Sequence, residues 1–328
     1  MKKILVIQTA SVGDVILMTP VLEKLHRVWP EAVVDVLVKA GNESLFQPHP
    51  FVHEVWVWEK HHHKWHNLFQ LLLEIRRAKY DAVVNCQRFA STGLLTALSG
   101  ARVRAGFSSN PLSWFFTHRY AHRFDGSHEI QRNLSLTAFA GPDHNFKPRL
   151  YPSAAHFARV SQYKTRAYIT ISPASLWFTK QFPEEKWAEF IRGLPRHLQV
   201  ILLGAPSDKA LCQRIAQASA NPQVLILAGK LNFLESAALI KDALMNYVND
   251  SAPMHLASAM NAPVAAVFCS TVPSFGFGPL SEHSFVIQTR ENLSCRPCGI
   301  HGHKHCPEKH FRCATTIELN QLYSCLPI

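Results

Sequence analysis

Short apolar runs alternate with amphipathic stretches along the whole chain. Residues 3–8, 33–38 and 82–86 are valine-rich and of strand length. Between them Leu68, Leu71, Leu72 and Ile75 recur at i, i+3, i+4 and i+7, which puts four apolar side chains on one helical stripe. Strands alternating with helices predict a parallel sheet covered by helices. A less regular stretch around residues 141–165 follows, with Gly141, Pro142, Pro148 and Pro152, and then the scheme resumes. Residues 168–172, 199–203, 224–227, 245–248 and 264–268 read as five buried strands. Trp187, Phe190, Ile191 and Leu194 form a second helical stripe, and residues 233–243 a further helix. A chain of 328 residues exceeds the size at which one core stops growing, so two α/β domains are expected, residues 1–155 and 156–328.

Composition narrows the class only a little. The hydrophobic content of 47% supports substantial cores, yet no apolar run of about 18 residues is free of polar interruption. The opening residues 1–8 turn polar too soon for a signal peptide, so a cytoplasmic protein is expected. The formal charge of +11 suggests acidic partners, but it is diffuse: residues 1–150 carry 18 basic and 12 acidic side chains, residues 151–328 carry 16 and 11. Nucleic acid, an anionic membrane face and a phosphorylated small molecule all fit that bias, as does an ordinary soluble protein of high pI. His61, His62 and His63, flanked by Lys60, Lys64 and Trp65, read as an exposed loop rather than a metal site.

Three strand-to-helix turns could carry chemistry, because ligands of open α/β sheets bind beyond the carboxyl ends of strands. In the first, residues 9–15, Gly13 would let a substrate approach the backbone and Asp14 could take a proton from a sugar hydroxyl; Asp14 as a plain helix cap explains the same residues. In the second, residues 172–183, Lys180 could neutralise a phosphate leaving group while the Ser172 and Ser175 hydroxyls donate to its oxygens. A solvated lysine is the alternative. The third runs from Asn249 to His255. Its helix N-terminus is suited to an anion and Asp250 to a ribose or sugar hydroxyl, whereas Asp250 or Ser251 as a cap and His255 as a packed side chain are the plain readings.

The missing patterns also inform. No G-x-G-x-x-G follows a strand and no G-x-x-x-x-G-K-[ST] occurs, which weighs against a dinucleotide dehydrogenase and a P-loop kinase. No D-x-D occurs either, so a diphosphate would have to be met by lysine and helix N-termini rather than by a carboxylate-held metal. Five of the eight cysteines follow residue 290. Cys295, Cys298, Cys306 and Cys313 could hold a structural zinc, with His301, His303 and His305 as competitors, but the spacing is not the paired C-x2-C signature and packed thiols are the alternative.

In this order the segments resemble the lipopolysaccharide heptosyltransferases, glycosyltransferase family 9. The resemblance covers nearly the whole chain. It rests on residues 11–15 after the opening strand, Lys180 to Pro183, Asn249 to Ser251 through Met254 and His255, and Cys295 and Cys298 with Cys306 and Pro307. It implies the GT-B fold, two Rossmann-like domains facing across a cleft, and an inverting, metal-independent transfer of heptose from ADP-heptose to a lipid A-linked acceptor in the lipopolysaccharide inner core. It implies Asp14 as catalytic base, with Lys180 and the helix start from Ser251 to His255, Ala252 and Met254 included, on the donor diphosphate. Acceptor contacts would come from Ser11, Gly13, Gln87 and Arg88, with Arg102, Arg104 and the aromatic run 114–116 as further candidates. The expected partners are an ADP-sugar and an anionic glycolipid, with peripheral contact to the cytoplasmic face of the inner membrane; no required cofactor and no nucleic acid are expected. The last helix is expected to be able to pack back on the N-terminal domain. Ala252 stands where the family usually has glycine, which bears on donor identity. Two other readings follow: the same family with another sugar nucleotide or surface glycan, and a nucleotide-sugar-binding protein without catalysis.

Overall fold

The computed structural model describes residues 1–60, 63–142 and 146–327. His61 and His62 of the expected polar loop lie outside them. The chain divides into two compact units, Met1–Tyr151 and Pro152–Ile328.

The first unit contains β1 (Lys3–Ile7), α1 (Val12–Val28), β2 (Val33–Lys39), β3 (Val52–Trp58), α2 (Lys64–Ala78), β4 (Ala82–Asn85), α3 (Ala90–Ala97), β5 (Val103–Phe107), β6 (His118–Tyr120) and α4 (Glu129–Ser135). Its six strands are all parallel, in the order β3-β2-β1-β4-β5-β6. The stripe Leu68, Leu71, Leu72 and Ile75 is buried on α2 and packs against Leu5, Ile7, Leu37 and Val83 of the sheet. Pro20 lies inside α1, where it removes an N–H that would have bonded the Ile16 carbonyl. The Thr19 hydroxyl bonds that carbonyl instead at 2.8 Å, so the helix continues.

The second unit contains α5 (Ala154–Ser161), β7 (Tyr168–Ser172), α6 (Glu184–Arg192), β8 (Gln199–Leu202), α7 (Lys209–Ser219), β9 (Val224–Ile226), α8 (Phe233–Lys241), β10 (Asn246–Asn249), α9 (Ala252–Ala259), β11 (Val264–Phe268), β12 (Ser284–Gln288), α10 (Arg312–Thr315) and α11 (Leu319–Tyr323). Its sheet is again six parallel strands, β12-β11-β10-β7-β8-β9, which is the same topology read from the other edge. Both sheets thus have the doubly wound order in which connections leave the central pair of strands in opposite directions. The last helix belongs to the second unit. Leu322 joins its core, and the Tyr323 hydroxyl donates to the Phe190 carbonyl at 3.1 Å.

Candidate active site

In each unit the crevice between the two central strands is where a ligand site can form. The first lies beyond Ile7 of β1 and Asn85 of β4, which are paired in register. Ser11 is the N-cap of α1 and Asp14 its third residue, and the two form a reciprocal capping box. The Ser11 backbone N–H and hydroxyl both donate to Asp14 Oδ2, at 3.1 and 2.5 Å, and the Asp14 N–H donates to the Ser11 hydroxyl at 3.4 Å. The capping role read from the sequence is therefore present in the folded chain. It fixes the carboxylate at the helix N-terminus, where the dipole favours negative charge.

Gln87, just past β4, is buried and its side-chain amide donates to Gln8 Oε1, which ties the ends of β1 and β4 together. Arg88 is exposed and stands 6.0 Å from the Phe124 ring centroid, with Arg132 at 4.7 Å from the same ring. Gly13 is buried in the first turn of α1, and Ser11 is exposed beside it. Lys60 was not singled out from sequence, because it sits in a histidine- and lysine-rich stretch that reads as a loop. Its ammonium donates to the Thr9 carbonyl at 2.6 Å and the Thr9 hydroxyl at 3.0 Å, and burial, then Lys39 and Lys64, pushes its pKa down to about 8.

The second crevice lies beyond β7 and β10. Lys180 Nζ and Asp250 Oδ2 form an ion pair of 2.7 Å, and both side chains are mostly buried. The same Asp250 oxygen accepts the Thr271 hydroxyl at 2.6 Å. Asn249, the last residue of β10, holds the loop that carries the lysine: its Oδ1 accepts the Phe182 N–H at 3.0 Å and its Nδ2 donates to the Pro173 carbonyl at 2.7 Å. Gln181 adds a bond to the Ser175 carbonyl at 2.7 Å. The Ser172 hydroxyl is buried at the end of β7 with no hydrogen-bond partner, so a donor remains unspent beside the crevice.

Burial separates the remaining donor candidates. Ser251 is the N-cap of α9 but its side chain makes no capping bond, and Ala252 is partly exposed at the first helical position. His255 is nearly buried. Met254 has no exposed surface.

Sequence reasoning also missed the loop that covers this crevice. Thr179 is buried, and its hydroxyl accepts the His303 N–H at 2.8 Å and the Ser270 hydroxyl at 3.0 Å. Gly302 has φ +75°, and a Cβ there would fall 2.8 Å from the Thr179 hydroxyl and 3.3 Å from Cγ of Lys180. Arg296 fastens the same loop to the end of β11, donating to the carbonyls of Cys269, Phe268 and Thr271 at 2.7, 3.2 and 2.9 Å. The signal for this loop was Cys295 and Cys298, read as metal ligands, when the residue between them is an anchor.

Among the described residues, the four sulfurs of Cys295, Cys298, Cys306 and Cys313 do not gather to the spacing of one ion; the one group that does is Asp35, His53 and Glu54. Cys298 instead donates to the Cys295 carbonyl at 3.1 Å, and Cys295 lies 3.9 Å from Nε2 of His310. Burial, reinforced by Cys298 and Cys306, pushes the Cys313 thiol up to about 12. Packed thiols, the plain reading of these cysteines, fit the contacts seen. Asp35, for its part, is already held by the Tyr80 hydroxyl at 2.6 Å and by Lys3 at 3.4 Å, so that cluster reads as an internal network.

Two doubly wound sheets, each with polar groups at its central crevice, fit a transferase that handles two substrates. Residues 68–311 match the family Glycosyltransferase family 9 (heptosyltransferase). The chain belongs to that family. A relative, lipopolysaccharide heptosyltransferase 3 of Escherichia coli, is 30% identical over 276 residues, covering 79% of this chain and 81% of the relative. Among solved structures, the family 9 glycosyltransferase of Veillonella parvula has a TM-score of 0.83 at 20% identity over 99% of this chain and 95% of that one. Escherichia coli heptosyltransferase WaaC with ADP-2-deoxy-2-fluoro heptose has a TM-score of 0.75 at 19% identity, with 98% of both chains covered. This family 9 glycosyltransferase accordingly has the GT-B fold and is a heptosyltransferase of lipopolysaccharide core synthesis. Among its described residues no helix is long and apolar enough to cross a membrane.

Proposed function

We propose that the chain transfers heptose from ADP-heptose to a lipid-linked, anionic inner-core acceptor, with inversion and without a metal. The Lys180–Asp250 pair carries this reading. It places one cation at the central crevice of the second unit, beside the uncapped start of α9 and the unspent Ser172 hydroxyl, a donor set suited to a diphosphate. Lys180 exchanges Asp250 for the diphosphate when the donor enters, and neutralises the charge that develops as the glycosidic C–O bond breaks. Thr271 keeps Asp250 in place through that exchange. The relatives support the donor: WaaC was solved with an ADP-heptose analogue.

In the first unit Asp14 is the base. Its carboxylate takes the proton of the acceptor hydroxyl as that oxygen attacks the anomeric carbon, and ADP leaves from the opposite face. Ser11, Gly13, Gln87 and Arg88 hold the acceptor, with Arg88 as the exposed cation for an anionic sugar. The absence of any D-x-D pattern and the presence of a cation at the second crevice both favour charge neutralisation by the protein itself. Asp14→Asn is expected to lower turnover about a hundredfold or more while calorimetric donor affinity stays within a factor of two or so. Lost donor binding with unchanged turnover per bound donor would return Asp14 to a capping role alone.

A further inference from the structure

We propose that the outer face of α2, continued onto the end of α3, is the surface by which this protein lies on an anionic phospholipid bilayer. The inference rests on the glycolipid-acceptor reading above and gives it a location. On α2 one face is fully used: Leu68, Leu71, Leu72 and Ile75 are buried against the sheet. The rest of the helix surface should be polar in a helix that meets only water. Instead Trp65 is 69% exposed, Phe69 59% and Leu73 39%. They are spaced by four residues, so at roughly 100° per residue they form one row spanning about 80° of the helix. Leu98, 44% exposed, adds to it from beyond α3, where Arg76 Nη1 donates to its carbonyl at 2.8 Å and so stitches the two helix ends together.

Charge decides what covers this row. Lys64, Arg76 and Arg77 are exposed on the same helix, and Lys64 lies 5.1 Å from the Trp65 ring centroid. Glu74 is the one acidic residue of α2, and it lies about 180° round the helix from Trp65. An indole and a phenyl ring edged by basic side chains match the interface of an anionic bilayer, where rings sit at headgroup depth and ammonium and guanidinium groups meet phosphate. A second copy of the chain fits worse, because a two-fold contact would set this basic face against itself. At 15 residues α2 is too short to span a membrane, so it would lie in the surface plane. The start of α2 also follows Lys60, which is bonded to Thr9 in the loop leading to Asp14, so the docked face adjoins the acceptor crevice.

The test is flotation of the full-length protein with phosphatidylcholine vesicles, with and without phosphatidylglycerol, in the absence of any substrate. The protein is expected to float with the anionic vesicles only, and less so at high salt. Phe69→Ser/Leu73→Ser and Lys64→Glu/Arg77→Glu should each weaken partitioning about tenfold or more, with circular dichroism melts close to wild type because the sites are exposed. Transfer to a delipidated acceptor should be unchanged in both. Failure of the wild type to float with either vesicle would overturn the proposal, as would variants that float like the wild type. So would a wild-type dimer that the variants dissociate without any change in flotation. Loss of vesicle binding in the variants, with no transfer by any form of the protein, would leave this surface standing and remove the glycolipid-acceptor reading instead.

Discussion

Thr179 shows how a residue with no chemistry of its own can govern the site. Its buried hydroxyl joins the His303 backbone and the Ser270 side chain, one residue before Lys180. Thr179→Val keeps the shape but leaves the buried Ser270 hydroxyl and the part-buried His303 N–H without their acceptor, which costs about 1–3 kcal/mol of stability. The same change should raise the KM for the donor more than it lowers kcat, since it loosens the seat of the lysine and leaves the base untouched. Denaturant melts and donor titration of the variant would check both. Nothing in the sequence around Thr179 marks it, because its partners lie 91 and 124 positions further along the chain. The capping role of Asp14 was legible, since residues 11–14 spell a helix start, and its role as base was raised only by the resemblance; Lys180 and Asp250 were legible as separate candidates, and only the fold joins them.

At the scale of elements, the readable strands are mostly buried ones; β9, read as buried, is instead a half-exposed edge of its sheet. Residues 82–84 and 264–268 are apolar throughout because their strands are covered on both faces, and the observed β4 and β11 are buried along their length. The strands left unread were β3, β5, β6 and β12. β3, β6 and β12 are sheet edges with mostly exposed or half-exposed side chains, and β5 carries Arg104 and Gly106; in β3 and β12 the apolar runs are short and broken by polar residues at their ends. The loop over the second crevice is held as an element by Arg296, whose guanidinium bonds three main-chain carbonyls at the end of β11. Arg296→Met would strand those carbonyls and free the loop. Faster amide exchange over residues 295–303, with the rates of β7 and β10 unchanged, is the expected outcome by hydrogen-exchange mass spectrometry.

For the molecule as a whole, pH should act first through the unit that contains His49. This ring is buried among Phe46, Phe51 and Tyr151, accepts the Val52 N–H at Nδ1 (3.3 Å), and its pKa falls to about 4, through burial and then the nearby His26. The unfolded chain takes up a proton near pH 6.5 and the folded one resists until about 4. The stabilisation is therefore complete above about pH 6.5 and is lost as pH falls towards 4, on the order of 2–3 kcal/mol in all. Urea melts across that range should show the decline, and His49→Phe should flatten it.

The overall charge of +11 would by itself attract any polyanion without discrimination. Lys180 behaves otherwise, because it already has a counter-ion in Asp250. A newcomer must outcompete a carboxylate only 2.7 Å away, which a diphosphate with several oxygens can do and a bare nucleoside, offering nothing in return, cannot. On the proposed reading, selectivity for the activated sugar begins with a lysine that is never empty-handed.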